Sequence, residues 1–191
     1  MAEWQNIINL QQEAISMIYY NVNDIVVRDM IESDPEIITN EEHLQGWVDQ
    51  EIDKYFKRLQ DVANGKCTSL VAEYKGNVAG YINVYPNAMG GSFGGKGLPE
   101  IVDFGVLQKY RNHGIGTVLM QIAENIAGKY ADTVYLGVGI NKNYGAAQRL
   151  YAKRGFIPDG TGLWYNNKVL EPYADMKNDD DAAIYMSKKL Y

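Results

Sequence analysis

At 191 residues the chain suits one domain and can bury a proper core, and its formal net charge of −6 leaves no clustered Lys and Arg of the kind that nucleic-acid and anionic-membrane surfaces require. A single cysteine, Cys67, excludes an internal disulfide, and with only two histidines there is no metal-ligand spacing, so no metal is expected. No apolar run is long enough to span a bilayer, and Met1-Ala2-Glu3-Trp4 opens without a basic, apolar leader; a soluble cytoplasmic protein is expected.

Taken in order, residues 5–20 place Ile7, Ile8, Leu10, Ala14, Ile15, Met17 and Ile18 at helical spacing, which predicts an added amphipathic helix within residues 1–22. It must cover something: the domain's own sheet, or a second copy of the chain in a homodimer. Residues 24–30 are β-branched and read as a first strand. After the Ser33-Asp34-Pro35 turn signal, Thr39 or Asn40 is a candidate N-cap, with one or two helices running to residue 63 and ending at Asn64-Gly65. Residues 67–74 and 78–85 are two β-rich runs joined by Lys75-Gly76-Asn77, an expected antiparallel hairpin. A glycine-rich loop follows over residues 86–99. Residues 100–107 form a central strand, 114–129 a helix and 133–138 a strand, a unit that favours a parallel pair with a right-handed crossover. A helix over 144–153 ends at Gly155 as a left-handed cap. A short strand starts at Phe156-Ile157 and stops at Pro158-Asp159-Gly160, Asn166-Asn167 marks a hairpin tip, and residues 182–188 are the last strand.

The centre of this plan is Val106-x-x-x-x-Arg111-x-x-Gly114-x-Gly116 between the central strand and its helix. Such a turn is an anion site, because glycines admit a ligand to the backbone and the first amides of a helix have no intrahelical partner. Three phosphate motifs compete. Gly90-x-x-x-x-Gly95-Lys96 mimics a P-loop, but Gly97 stands where the Mg²⁺-binding Ser or Thr is needed and a strand follows. Gly114-x-Gly116 fails as a dinucleotide fingerprint, since Leu119 takes the third glycine position and the strand ends too early.

The third pattern resembles motif A of the GNAT superfamily, the acetyl-CoA-dependent N-acetyltransferases. A second segment, Ala146-Ala147-Gln148-Arg149-Leu150-Tyr151-Ala152-Lys153-Arg154-Gly155-Phe156, is similar to that family's helix ending in Leu-Tyr-x-x-x-Gly-Phe. The resemblance implies a mixed α/β fold: a mostly antiparallel central sheet with one splayed parallel strand pair, flanked by helices, as a single domain whose core spans residues 24–191. It implies acetyl-CoA as co-substrate, with Phe104, Val106 and Leu107 along the pantetheine arm. Arg111, Asn112, His113, Gly114, Ile115, Gly116 and Thr117 would lie around the pyrophosphate, with Lys109 as a nearby charge, and Asn143, Tyr144 and Ala147 on the far wall. Tyr144 stands where many relatives carry a CoA-contacting Asn.

Transfer to an amine needs a base, a stabilised oxyanion and a proton for the departing thiolate. The resemblance assigns the last role to Tyr151 and the oxyanion donor to the main-chain N–H of Val106 or Leu107. Glu100 is the first candidate base and Asp103 the second; three residues apart on a strand they face opposite ways unless a bulge intervenes. The expected acceptor is a small amine, cationic if the acidic run Asp179-Asp180-Asp181 lines its route. Two other readings stay open: a non-catalytic acyl-CoA sensor, and acetylation of a protein or peptide.

Overall fold

The protein was analysed as a computed structural model, which describes residues 16–47 and 51–190. Nine strands form one sheet in the order β1-β2-β3-β4-β5-β6-β9-β7-β8, comprising β1 (Ile18–Val22), β2 (Ile25–Asp29), β3 (Thr68–Tyr74), β4 (Asn77–Tyr85), β5 (Glu100–Val106), β6 (Thr133–Gly139), β7 (Ile157–Tyr165), β8 (Lys168–Val169) and β9 (Ala182–Lys189). The helices described are α1 (Asp34–Leu44), α2 (Ile52–Ala63), α3 (Ile115–Ala127) and α4 (Gly145–Lys153). Every strand pair is antiparallel except β5 with β6. No helix among the described residues is long and apolar enough to cross a membrane.

Alternating burial explains the layers. On β3, Leu70 and Ala72 join Ile82, Val84 and the α3 residues Leu119, Met120 and Ala123 in the main core, while Val71 turns to the other face with Ile38 of α1, Tyr55 of α2 and Tyr81. The β3–β4 hairpin turns through Lys75 and Gly76, both at positive φ, as a two-residue turn requires. Asn166 and Asn167 do the same between β7 and β8.

Three expectations are corrected. Residues 18–22 are a strand paired with β2 and not the end of a helix; Asn23 and Asp24 make the hairpin turn at positive φ, and residues 5–15 of the expected helix lie outside the described residues. Helix α1 starts after Ser33, with Pro35 in its first turn, and not at Thr39 or Asn40; Asp34 fixes that start by accepting from Arg28 at 2.7 and 2.9 Å and from the Ile31 N–H at 2.7 Å. Strand β7 does not stop at Gly160. It passes through an irregularity between Pro158 and Leu163, where Asp159 binds Thr161, and continues along β9 to Tyr165.

One irregularity positions the site. Opposite β5, Tyr81 pairs with Gly105 and Asn83 with Val102, so three steps of β5 face two of β4. The extra residue is absorbed at Asp103, whose φ is +50°. A Cβ on Gly105 would lie 2.5 Å from the Tyr81 ring, and Tyr81 is fixed from behind by its hydroxyl bond to the buried Glu42, which also accepts from Tyr55 at 2.6 Å. Gly105→Ala is therefore expected to lower unfolding free energy by ~1–3 kcal/mol in denaturant titration, as overpacking does elsewhere.

Candidate active site

The parallel ladder of β5 and β6 holds for Glu100↔Tyr135 and Ile101↔Leu136 and then opens. Past that point Gly137 is exposed in mid-strand and Gly139 carries the Tyr144 ring, which a Cβ there would meet at 2.4 Å. The wedge between the strands is a cleft of about 740 Å³. Its far end is the turn before α3. Asn112 and Gly114 take positive φ, the first intrahelical bond runs from the Val118 N–H to the Gly114 carbonyl at 3.1 Å, and the amides of Ile115, Gly116 and Thr117 have no acceptor within the helix. Gly116 keeps the floor low: a Cβ there would be 3.1 Å from the Phe104 ring and 3.5 Å from Val106. Arg111 bends back, its Nε donating to the Val106 carbonyl at 3.2 Å and its guanidinium 5.6 Å from the Trp47 ring centre.

Phe104, Val106, Arg111, Asn112, Gly114, Ile115, Gly116, Thr117, Asn143, Tyr144 and Ala147 all line this cleft, as do Tyr151, Glu100 and Asp103. Leu107 and His113 do not. Leu107 is 1% exposed and its main-chain N–H donates to the Ala79 carbonyl at 2.9 Å, so that amide is committed and cannot serve as an oxyanion donor. The His113 ring lies against Tyr74, centres 4.6 Å apart, with Nδ1 3.3 Å from the Tyr110 carbonyl. Lys109 also turns away, to Glu41 at 2.7 Å. Of the three aspartates in the acidic run, Asp180 reaches the cleft, accepting from Asn141 Nδ2 at 3.2 Å beside Tyr144.

The bulge at Asp103 brings both candidate carboxylates to the cleft, which strand parity alone forbids, and their surroundings then separate them. Asp103 is bound by Arg58 of α2, through Nε at 2.8 Å and Nη2 at 2.6 Å, and Arg58 Nη1 donates to Tyr85 at 2.6 Å. Both contacts fall on Oδ2, which ties that oxygen and the direction of the side chain to α2. Glu100 has no such cation. Burial pushes its carboxyl up from its ordinary 4.5 to about 7, opposed by the Tyr135 hydroxyl, assisted by the charge of Asp103 and opposed by Arg58. Tyr135 is 3.3 Å from Glu100 Oε2 and donates at 2.9 Å to the Gly90 carbonyl, so its one proton is divided between two acceptors. The phenol is itself held well above its usual range, first by burial and then by the charge of Glu100.

Tyr151 sits at the end of α4, 5% exposed, between Phe104 and Phe156 with ring centres 6.1 and 5.9 Å away. Gly155 caps the helix at φ +89°, and the Phe156 N–H returns to the Tyr151 carbonyl at 3.0 Å, which fixes the ring's direction. Burial first, then the neighbouring Tyr144, pushes its hydroxyl far above the usual tyrosine value. It is a neutral acid that keeps its proton until a strong base appears beside it.

Arg58, Tyr135, Glu42 and Trp47 complete the site without having been expected there. They come from α2, β6, α1 and the loop after α1, each far in sequence from the central turn. Glu100 opens β5 whereas Tyr135 is the third residue of β6, so no shared spacing in the sequence marks their contact. A second cavity of about 610 Å³ opens on the other side of Glu100, lined by Arg58, Lys66, Tyr85 and the start of the glycine-rich loop. Glu100 and Val102 line both cavities.

Comparison with known proteins agrees with this geometry. Solved structures with the same fold include yncA of Salmonella typhimurium with its cofactor acetyl-CoA, 17% identical over 88% of this chain and 95% of that one, TM-score 0.63. The Salmonella typhimurium acetyl transferase that modifies the N-terminal serine of ribosomal protein L7/L12 is 10% identical over 92% and 100%, TM-score 0.67. Arabidopsis thaliana Naa50, in complex with the bisubstrate analogue CoA-Ac-MVNAL, is 20% identical over 88% and 100%, TM-score 0.60. No curated protein matches. The sequence matches the acetyltransferase (GNAT) family over residues 28–156, well over half of its length, and includes both the turn before α3 and the helix ending at Tyr151. The chain belongs to the GNAT acetyltransferase family.

Proposed function

We propose that the protein moves an acetyl group from acetyl-CoA to the primary amine of a small molecule, with Glu100 as base and Tyr151 as acid. The observation that carries this reading is the place of Glu100: it is the carboxyl at the meeting of two cavities, one shaped for the donor and one left for an acceptor.

The donor fits the larger cleft. Free amides of Ile115, Gly116 and Thr117 and the Arg111 guanidinium supply an anion cradle, and the splayed edges of β5 and β6 leave room for an extended arm between Phe104, Val106, Tyr144 and Ala147. Acetyl-CoA supplies the thioester carbonyl. An amine arriving as ammonium must lose a proton before its nitrogen can attack; Glu100 takes that proton, aided by a carboxyl value near the working pH. The new N–C bond forms as the C–S bond breaks; Tyr151 gives its proton to the departing sulfur, and the second proton, shed by the nitrogen as it becomes an amide, restores the phenol. Arg58 acts at one remove, holding Asp103 and with it the bulge. A base so placed has no use in a protein that only senses acyl-CoA, which favours the enzyme reading.

The test is thiol release from acetyl-CoA with a broad amine panel; turnover with one acceptor supports the proposal, and none across the panel counts against it. In the same assay Tyr151→Phe is expected to lower kcat about 100-fold while acetyl-CoA affinity stays within about threefold. Among the described residues no hydrogen bond to the Tyr151 hydroxyl is present, so its loss leaves packing intact. A wild-type rate would remove Tyr151 from the chemistry.

A further inference from the structure

We infer that the smaller cavity seats the acceptor and selects an amino carboxylate, an amine joined to an anionic group through a short aliphatic spacer. The inference rests on the acetyl-transfer reading above.

The cavity has two kinds of wall. Pro86, Ala88, Met89 and Val102 give it an apolar side suited to hydrocarbon. Its charged groups are Arg58 and Lys66 on one side and Glu100, the sole carboxyl among its lining residues, on the other. Both cations are held only in part. Three of the five Arg58 N–H groups go to Asp103 and Tyr85, and Nη1 also lies 4.0 Å from Asp61 Oδ2, beyond hydrogen-bond reach, so two N–H groups have no hydrogen-bond acceptor among the described residues. Lys66 stands 3.6 Å from Asp61 Oδ1, too far for a good hydrogen bond, and its side chain is 62% exposed. Asp61 itself is nearly sealed, taking the Tyr85 hydroxyl at 2.7 Å, and does not line the cavity. The face offered to a ligand is therefore cationic, in a chain whose net charge is −6.

An acceptor's reacting nitrogen must reach the place where the two cavities join, which is at Glu100 and Val102. With the amine there, the rest of the molecule lies along Met89 and Ala88 and its far end meets Arg58 and Lys66. A carboxylate at that end gains charge-assisted bonds, and a second ammonium is repelled. This inference departs from the expectation of a cationic acceptor: Asp180, the one member of the acidic run that reaches the main cleft, already accepts from Asn141 and faces Tyr144.

The test uses the wild-type protein, acetyl-CoA and thiol detection, with amino carboxylates, alkylamines and diamines matched at spacers of about two to five carbons, and α-amino acids beside them. At the best spacer kcat/KM for the amino carboxylate is expected to exceed that of the matched alkylamine at least tenfold, with the diamine lowest. Lys66→Glu, at an exposed position that should not disturb folding, is expected to lower the ratio of amino carboxylate to diamine at least tenfold. Preference for alkylamines or diamines at every spacer, or a ratio that Lys66→Glu does not move, overturns the inference and leaves acetyl transfer standing. Thiol release that no amine of the panel raises above the amine-free rate defeats the acetyl-transfer reading itself, and this inference with it.

Discussion

Replacing Glu100 by Gln is expected to make the enzyme about 100- to 1,000-fold slower in kcat/KM and, above neutral pH, more stable. The first effect follows from the proposed role of base, since Gln keeps the shape and the hydrogen bond to Tyr135 but cannot accept the proton. In the wild type the rate should rise with pH through about 7, because the active form is the carboxylate; in the variant that limb should vanish. The second effect follows from linkage. A carboxyl whose value is raised on folding binds more protons folded than unfolded between about 4.5 and 7, so its stability contribution is full below 4.5, declines through that window and is lost above 7. Gln carries no such cost. At pH 8 the variant should gain ~2–3 kcal/mol, or roughly 4–12 °C in Tm for a domain of this size, and at pH 4 the gain should disappear. A slow variant with unchanged stability at pH 8 would mean that burial does not penalise the Glu100 carboxylate.

Gly116→Glu is expected to reduce acetyl-CoA affinity at least 100-fold in calorimetry. Two causes act together. The new side chain starts 3.1 Å from the Phe104 ring and 3.7 Å from Leu150, so it can grow only into the cleft, and its charge sits among the amides that would hold a pyrophosphate. The fold should survive, because an acidic residue in the first turn of α3 suits the helix dipole. Gly116→Ala, which needs only a small give by Phe104, should cost far less. Equal affinity in Gly116→Glu and wild type would take the turn before α3 out of CoA binding.

The parts of the site that were legible lie on two short stretches, each continuous in sequence. The turn before α3 showed itself because the anion cradle is local, made by glycines and amides within six residues. The helix ending at Tyr151 showed itself through its Gly155 cap. The pairing of Glu100 with Asp103 was decided by something sequence pattern does not carry. Strand parity separates them, and only the unequal count between Tyr81–Asn83 and Gly105–Val102 reveals that Asp103 is the extra residue. What then tells the two carboxyls apart, Arg58 on one and Tyr135 beside the other, arrives 45 and 35 residues away. Strand β1 was misread for a different reason. Met17 and Ile18 extend the helical spacing of the residues before them, and that pattern outweighed Asn23-Asp24, whose tolerance of left-handed backbone was the hairpin signal.

The proposed mechanism depends on one carboxyl, Glu100, at the junction of the two cavities, titrating close to neutrality. Carbon-13 NMR of the protein labelled at the glutamate side-chain carboxyls, with Glu100→Gln to assign the resonance, follows that titration without any knowledge of the acceptor. A midpoint at about 7 is the predicted result. A midpoint near 4.5, the ordinary value, would contradict it and leave Glu100 an ordinary polar residue of the central strand.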